Sequence, residues 1–384
     1  MDWLIVNCNS KLILPKIRLR IVSHVHADSP EVIIDLDAIQ RNFAIATSIA
    51  GPDVDVAAVV KSDGYGLGLS RLIEPLAAAG CRTFFVADLS EAHCVRERSK
   101  GGTVFVLAGM KRDHAEHCRK NRFVPVCNTL GEVVAAVDGG CDYALNLETG
   151  FSRFGLGLSD VRSLIHRSLP PPLLVMSHLA CADEPANTLN ELQKNRFVCL
   201  SELLGPTRRS LAASAGLFLG PAYLFDLVRL GSALYGLNTT DLVPNPFMNV
   251  LKLRACVVDV RHVHAGASVG YRSTFRASRP TRLGILSIGY AHGLAWSLSN
   301  RLNVQIGSHV APLVGRVAME YVAIDLTDVP DQFCQPGQWV ELITKDRSAD
   351  AMARAGATVA QEVMLRVGAA CRRSYVAIEQ GMDA

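Results

Sequence analysis

The chain has 384 residues, 49% hydrophobic and 20% charged, with 39 Lys+Arg against 36 Asp+Glu for a formal net charge of +3. That length fits two or three domains, or one large barrel with a smaller partner, and the ordinary polarity excludes a disordered chain. The near-neutral balance offers no electrostatic footprint for nucleic acid or an anionic membrane. The 11 cysteines, scattered and never spaced as CxxC, read as reduced thiols of a cytoplasmic protein, not as a disulfide framework or a zinc site.

Residues 1–30 carry Lys11, Lys16, Arg18 and Arg20 against Asp2 and Asp28. Their apolar runs are too short for a membrane span and lack the layout of a signal peptide, so they read as an N-terminal extension. After Pro30 comes a β-branched run, VIIDLD (32–37), and a helical pattern, AIQRNFAIATSIA (38–50). Further apolar runs end near Lys61, Asp88, Ala108, Asn128, Glu148, His178, Ser214 and Arg229. The gaps hold a loop and a helix, as in LSRLIEPLAAAG (69–80) and LGEVVAAVDGG (130–140). Strand–helix alternation repeated in this way predicts a (β/α)8 TIM-type barrel over residues 31–240. NTTDLVPNP (238–246) reads as a linker. Beyond it, short alternating runs at 251–263, 282–290, 302–318, 321–329 and 339–344, with a helical stretch at 348–357, predict a mostly antiparallel β domain over residues 241–384.

In such a barrel the C-terminal ends of the strands build one mouth, where sites form. Lys61 ends a buried run and precedes SDGYGLG. Burial there lowers an amine's pKa, as Schiff-base chemistry requires, although a lysine snorkelling to the rim gives the same pattern. Tyr65, between strand and helix with Gly66 and Gly68, belongs to a loop that could admit a phosphate. Arg229 stands just before Gly231-Ser232 and a following helix, whose free N–H groups suit a phosphate, and Ser214 ends the neighbouring run. Arg153, in a Gly-containing loop, could clamp a carboxylate or pair with Glu148 or Asp160. His178, at a strand end next to a hydroxyl and an acid, reads by default as a satisfied core histidine. Tyr271, in the turn GYRST, carries no signal of its own.

Taken together and in order, AAVVKSDGYGLG, LETGFSRFGLG, SHLACADEP, the SAG at 214–216, VRLGSALYGL, GYRSTFRA, IGYAHG, SLSN and GRVAMEYVAIDLT resemble the alanine racemase family over about Val32 to Tyr375. The resemblance implies a pyridoxal 5'-phosphate enzyme that interconverts L- and D-alanine by two bases. Lys61 would hold the cofactor and serve one face of the substrate, and Tyr271 of the partner subunit the other. It implies that Arg229 meets the pyridine nitrogen, that His178 bridges Tyr271 and Arg229, and that Tyr65, Ser214, Gly231 and Ser232 bind the phosphate. Arg153, Met319 and Tyr290 would bind substrate. Because Tyr271 and Met319 act across an interface in the family, a homodimer follows; no metal is implied.

Five positions depart from the family pattern. Asn146 stands where many members carry a carbamylated lysine, leaving a gap that an anion could fill. Gln361 replaces a tyrosine beside the catalytic one, Glu320 and His292 replace aspartates, and Ala213 replaces an asparagine. Removing the ring at 361 leaves more room and a polar lining. Two alternatives therefore stay open: a racemase whose range extends to serine or larger amino acids, and a pyridoxal phosphate binder without catalysis. An amino acid decarboxylase on the same scaffold is disfavoured, because its glycine-rich phosphate loop and Cys–acid motif are missing from the sequence.

Overall fold

The structure, a computed structural model, describes residues 28–167, 169–240 and 244–377. Residues 1–27 of the expected N-terminal extension lie outside the described residues. The first described strand, β1 (Glu31–Asp35), leads into the helix Leu36–Ala50, whose entry is capped by the Asp35 carboxylate accepting from Ala38 N at 2.9 Å. Ile39, Phe43, Ala46 and Ala50 recur at helical spacing and are buried.

Eight parallel strands follow: β2 (Asp55–Val59), β3 (Thr83–Val86), β4 (Thr103–Val106), β5 (Phe123–Cys127), β6 (Ala144–Asn146), β7 (Leu174–Met176), β8 (Arg209–Ser210) and β9 (Leu227–Leu230). They pair in the order β8-β7-β6-β5-β4-β3-β2-β9. The ring closes where Arg229 N donates to Ala212 O at 3.1 Å, beside a parallel bridge between Ala213 and Arg229. These are the eight runs that the sequence places at barrel spacing, and the barrel is confirmed. The run SLAAS is shorter in ladder than in pattern, because regular pairing stops at Ser210 and the chain reaches Ser214 through a single bridge.

The second sheet is built from β10 (Leu251–Val263), β11 (Ser268–Val269), β12 (Phe275–Arg276), β13 (Thr281–Leu286), β14 (Asn303–Ile306), β15 (His309–Val314), β16 (Val322–Asp325), β17 (Trp339–Ile343) and β18 (Arg372–Val376), with β11 and β12 forming a separate hairpin. Its order is β13-β16-β15-β14-β17-β10-β1-β18. The long β10 pairs with β17 and β1 along its first half and with β13 along its second, past an irregularity between Val257 and Asp259, so it closes the sheet on itself. All these pairings are antiparallel except β1 with β18. Grouping by chain order puts residue 31 onward in the barrel. Hydrogen bonding instead places β1 in the second sheet, since both its edges find partners there, Leu251–Arg254 on one side and Arg372–Val376 on the other. Chain order carries no information about such distant pairing.

The helices Ala349–Gly356 and Ala360–Ala370 pack on each other and bring the second domain to the barrel mouth. The sequence pattern shows the first of them and not the second. Among the described residues no helix is long and apolar enough to cross a membrane, and the ten cysteines are unpaired and mostly buried.

Asn42 joins the parts. It is fully buried, its Nδ2 donates to Leu234 O at 3.1 Å and Met248 O at 2.8 Å, and its Oδ1 accepts from Met248 N at 2.7 Å. One side chain thus binds the first helix, the end of the barrel and the segment entering the second domain. Asn42→Ala leaves three backbone groups without partners at roughly 1–3 kcal/mol each before relaxation. A net loss of about 2–4 kcal/mol is expected, read as a lower urea midpoint at unchanged m-value.

Candidate active site

Alternation along the barrel strands decides which side chains reach the site. Ala57, Val59, Phe85, Phe105, Val124, Val126, Ala144, Leu174, Met176 and Leu227 pack with one another as the barrel lumen. The intervening residues, such as Val56, Ala58 and Val60, face the surrounding helices. Two residues beyond the last apolar lumen position, the same parity presents Lys61, Asn128, Asn146, His178 and Arg229. All five line one cavity of about 870 Å³ at the mouth. Tyr65, Arg153, Ser214, Gly231 and Ser232 line it too, as do Asp350, Arg354, Thr358 and Gln361 from the second domain of the same chain.

Lys61 opens an unusual turn. Ser62 and Asp63 have φ of 57° and 53°, Gly64 63° and Tyr65 56°, so the chain winds one turn in the left-handed sense. For residues other than glycine that conformation costs about 1–2 kcal/mol each, and the surroundings must hold it. Burial first, and then the Arg153 charge, lower the Lys61 pKa, while Glu91 partly offsets them.

Arg229 is 4% exposed and has no carboxylate partner among the described residues. Its NH1 donates to Ser210 O at 2.9 Å and Ser210 Oγ at 2.6 Å, and its NH2 to Ser177 O at 2.5 Å. NH2 also lies 3.4 Å from His178 Nδ1. A guanidinium only donates, so Nδ1 is the accepting nitrogen and the neutral ring carries its proton on Nε2. Burial, then Arg229, Arg153 and Lys61, push His178 down to about 3, so the core-histidine and site readings merge in one neutral imidazole at the mouth.

Arg153 stands over the Phe151 ring at 4.4 Å, and that ring is 5.4 Å from His178. Neither expected alternative pairing forms. The Glu148 carboxylate accepts from Gly150 N and from Ser152 N at 2.9 Å, and Asp160 accepts from Gly157 N at 3.0 Å. Both acids shape the loop and leave the guanidinium without an acid partner among the described residues.

Ser214 Oγ accepts from Gly231 N at 3.0 Å and Ala233 N at 3.1 Å. Tyr65 is hydrogen-bonded to Ser232, and its ring lies 4.6 Å from Tyr235. A Cβ on Gly231 would stand 2.5 Å from Tyr65 Oη, so a side chain there would force the Tyr65 hydroxyl to move. The helix expected after Gly231 is only the 3₁₀ turn Ser232–Tyr235, ended by Gly236 in the left-handed region. The corner therefore presents hydroxyls, with the Gly231 and Ala233 N–H groups engaged by Ser214, and has no long helix end.

The five departures fall into two groups. Asn146 Nδ2 donates to Asn128 Oδ1 at 2.9 Å, and Gln361 Nε2 donates to Ser232 Oγ at 2.9 Å; both amides, like Ala213, line the cavity. His292 and Glu320 pair with each other at 3.4 Å, outside that cavity lining. Asn128 was not singled out from the sequence as a site residue, although lumen parity marks it. Tyr271, Tyr290 and Met319 do not line the cavity of their own chain and are 69%, 47% and 55% exposed. Tyr271 sits in a turn where Gly270, Arg272 and Ser273 all have positive φ. Backbone bonds from Tyr290 N to Ala318 O and from Ala291 N to Met319 O, both 3.0 Å, hold the other two loops together.

Comparison with known proteins agrees with this geometry. Residues 34–239 match the family model of the alanine racemase N-terminal domain, and residues 250–375 that of the C-terminal domain. The chain is 46% identical to alanine racemase 3 of Mesorhizobium japonicum, over 89% of this chain and 90% of that one. It is 34% identical to the Rhodospirillum rubrum alanine racemase, over 91% and 96%. Its fold matches the alanine racemase of Bartonella henselae, whose crystal structure carries covalently bound pyridoxal phosphate, with a TM-score of 0.86 at 31% identity over 91% of this chain and 99% of that one. The biosynthetic alanine racemase of Pseudomonas aeruginosa matches with a TM-score of 0.84 at 32% identity, over 91% and 99%. The chain belongs to the alanine racemase family of isomerases.

Proposed function

We propose that this chain interconverts L- and D-alanine with pyridoxal 5'-phosphate, as a cytoplasmic homodimer whose subunits complete each other's sites. The observation that carries this reading is the cavity itself: Lys61, Arg153 and Arg229 together, a neutral His178, and a corner of hydroxyls and amides around a bare glycine. The residues present fit the cofactor. Tyr65, Ser214 and Ser232 supply neutral hydroxyl donors around Gly231, whose missing side chain makes room for the Tyr65 hydroxyl, and Lys61 offers a desolvated amine at the same mouth. Bound there, pyridoxal phosphate supplies an electrophilic carbonyl and an electron-withdrawing ring that acidifies the α C–H bond of an attached amino acid.

The protein's own groups would do the rest. Arg153, without an acid partner among the described residues, takes the substrate carboxylate. Arg229, held by carbonyls and brought down only to about 10, stays charged at neutral pH and keeps its proton while donating to the ring nitrogen. Lys61 Nζ moves a proton on one face, and its lowered pKa suits it to the task. Inversion needs a second group on the opposite face, a role that suits Tyr271 of the partner subunit. The exposure of Tyr271, Tyr290 and Met319 in the single chain supports that assignment, since large apolar side chains left in solvent mark an interface.

A second reading, a range extending to serine or larger amino acids, is favoured by Gln361, whose amide on Ser232 gives the cavity a polar wall. Holoenzyme incubated in heavy water with a panel of L-amino acids, followed by proton NMR at the α position, separates the readings. Alanine exchanging fastest supports the proposal, while serine or a larger residue ahead of alanine establishes the second reading. A protein that binds the cofactor but exchanges nothing overturns both. Lys61→Ala and Tyr271→Phe should each slow alanine racemisation by about 10²–10⁴-fold.

His178 makes the cofactor-free protein sensitive to acid. Its folded pKa, about 3, lies below the unfolded value of roughly 6.5, so between those limits the unfolded chain binds the extra proton. The stabilisation is complete above the unfolded value and is lost as the pH falls toward the folded one. From pH 6.5 to 5 the urea-unfolding free energy should fall with a slope approaching about 1.4 kcal/mol per pH unit. His178→Gln should flatten that slope.

A further inference from the structure

The left-handed turn after Lys61 is held from outside the barrel. Asp63 is its centre: its N–H donates to Glu91 Oε1 at 2.8 Å, its Oδ1 accepts from Leu69 N at 2.8 Å, and its Oδ2 accepts from Arg373 NH1 at 2.6 Å. Glu91 uses its other oxygen on Ala87 N at 2.8 Å, tying the loop after β3 to the loop after β2. Arg373 lies on β18 and is itself fixed by Nε donating to Gly368 O at 2.6 Å. Tyr375, two residues on, donates from Oη to Leu67 O at 2.9 Å. The contact is close enough that a Cβ on Gly68, whose φ is +91°, would stand 2.1 Å from Tyr375 Oη. The last described strand of the second sheet and the barrel's lysine turn are thus one hydrogen-bonded unit.

We propose that Asp63 and Arg373 are positioning residues for Lys61: their ion pair locks the left-handed turn and thereby fixes where Nζ stands relative to the α carbon of the substrate. This rests on the reading of Lys61 as the base on one face. Neither side chain lines the cavity, so each acts through the turn. A misplaced Nζ impairs proton transfer on one face only. The enantiomer deprotonated by Lys61 then loses its α proton slowly. The other is still deprotonated by the opposite base and can regain a deuteron on the same side.

The test uses holoenzyme in heavy water, with the loss of the α proton measured separately from L- and D-alanine. Arg373→Met should slow one enantiomer at least tenfold while the other changes less than threefold, with KM within threefold of the wild type. Arg373→Lys should restore the slowed rate to within threefold. Amide exchange over residues 62–69 should rise at least tenfold in Arg373→Met, in cofactor-free protein as well as holoenzyme. Equal slowing of both enantiomers, or unchanged exchange in the turn, overturns the proposal. Should Arg373→Met fail to fold, Asp63→Asn removes the ion pair from the other side and must show the same asymmetry. Wild-type protein whose 62–69 amides exchange as fast as an open loop overturns the proposal without any variant. Lys61→Ala that keeps exchange on both faces overturns it too, but by removing Lys61 as a base, which leaves a different signature.

Discussion

Everything at the site follows from the pleat of the barrel strands. A strand sends alternate side chains to opposite faces, and in a closed barrel one face is a lumen too narrow for anything but packed apolar groups. Ala57, Val59, Val126, Met176 and Leu227 fill it. The next residue of the same parity on each strand emerges into the mouth, where polar character is tolerated because the lumen has ended. Lys61, Asn128, Asn146, His178 and Arg229 are therefore brought together by five separate strands without any local sequence linking them. Slipping any of those strands by one residue would turn its polar group toward the helices and put a helix-facing residue in the lumen.

The electrostatics of the mouth depend on that gathering. Lys61, Arg153 and Arg229 share a cavity in which Arg229 is satisfied by carbonyls and a hydroxyl and Arg153 has no acid partner among the described residues. Three acids just outside the lining are engaged elsewhere: Glu148 and Glu91 accept from backbone N–H groups, and Asp63 holds Arg373. Asp183, Glu184 and Asp350 also line the cavity, so the positive character is local to the buried side around Lys61 and Arg229, where burial and the neighbouring charges lower the proton affinity of His178 and Lys61 together.

The barrel was legible because each of its strands ends in a recognisable run, and most of the mouth because the ends of those runs are the site. Lys61, His178 and Arg229 end such runs, but on position alone each keeps an ordinary reading, as does Arg153, and only the ordered set of motifs gives them roles. Asn128 ends a run as clearly, yet only its place beside Asn146 gives it meaning. Gln361, Arg354 and Asp350 belong to helices of the second domain, and no periodicity shows that these helices close over the barrel. Tyr271, Tyr290 and Met319 lie in exposed turns with no pattern of their own, so resemblance to a family was the sole signal for them. The placement of β1 was illegible for the same reason: its partners β10 and β18 are far along the chain.

The adjacency of β1 and β18 has a consequence for biosynthesis. On a ribosome the barrel strands emerge in consecutive order, and each can pair with the strand before it as it appears. The second sheet cannot be completed in that way, because β1 is made before the barrel and must wait, one edge open, until Arg372–Val376 is translated. The arginine that grips the lysine turn arrives on that same strand, the last one described. A nascent chain stalled short of it would leave β1 without one of its two partners and Asp63 without its arginine.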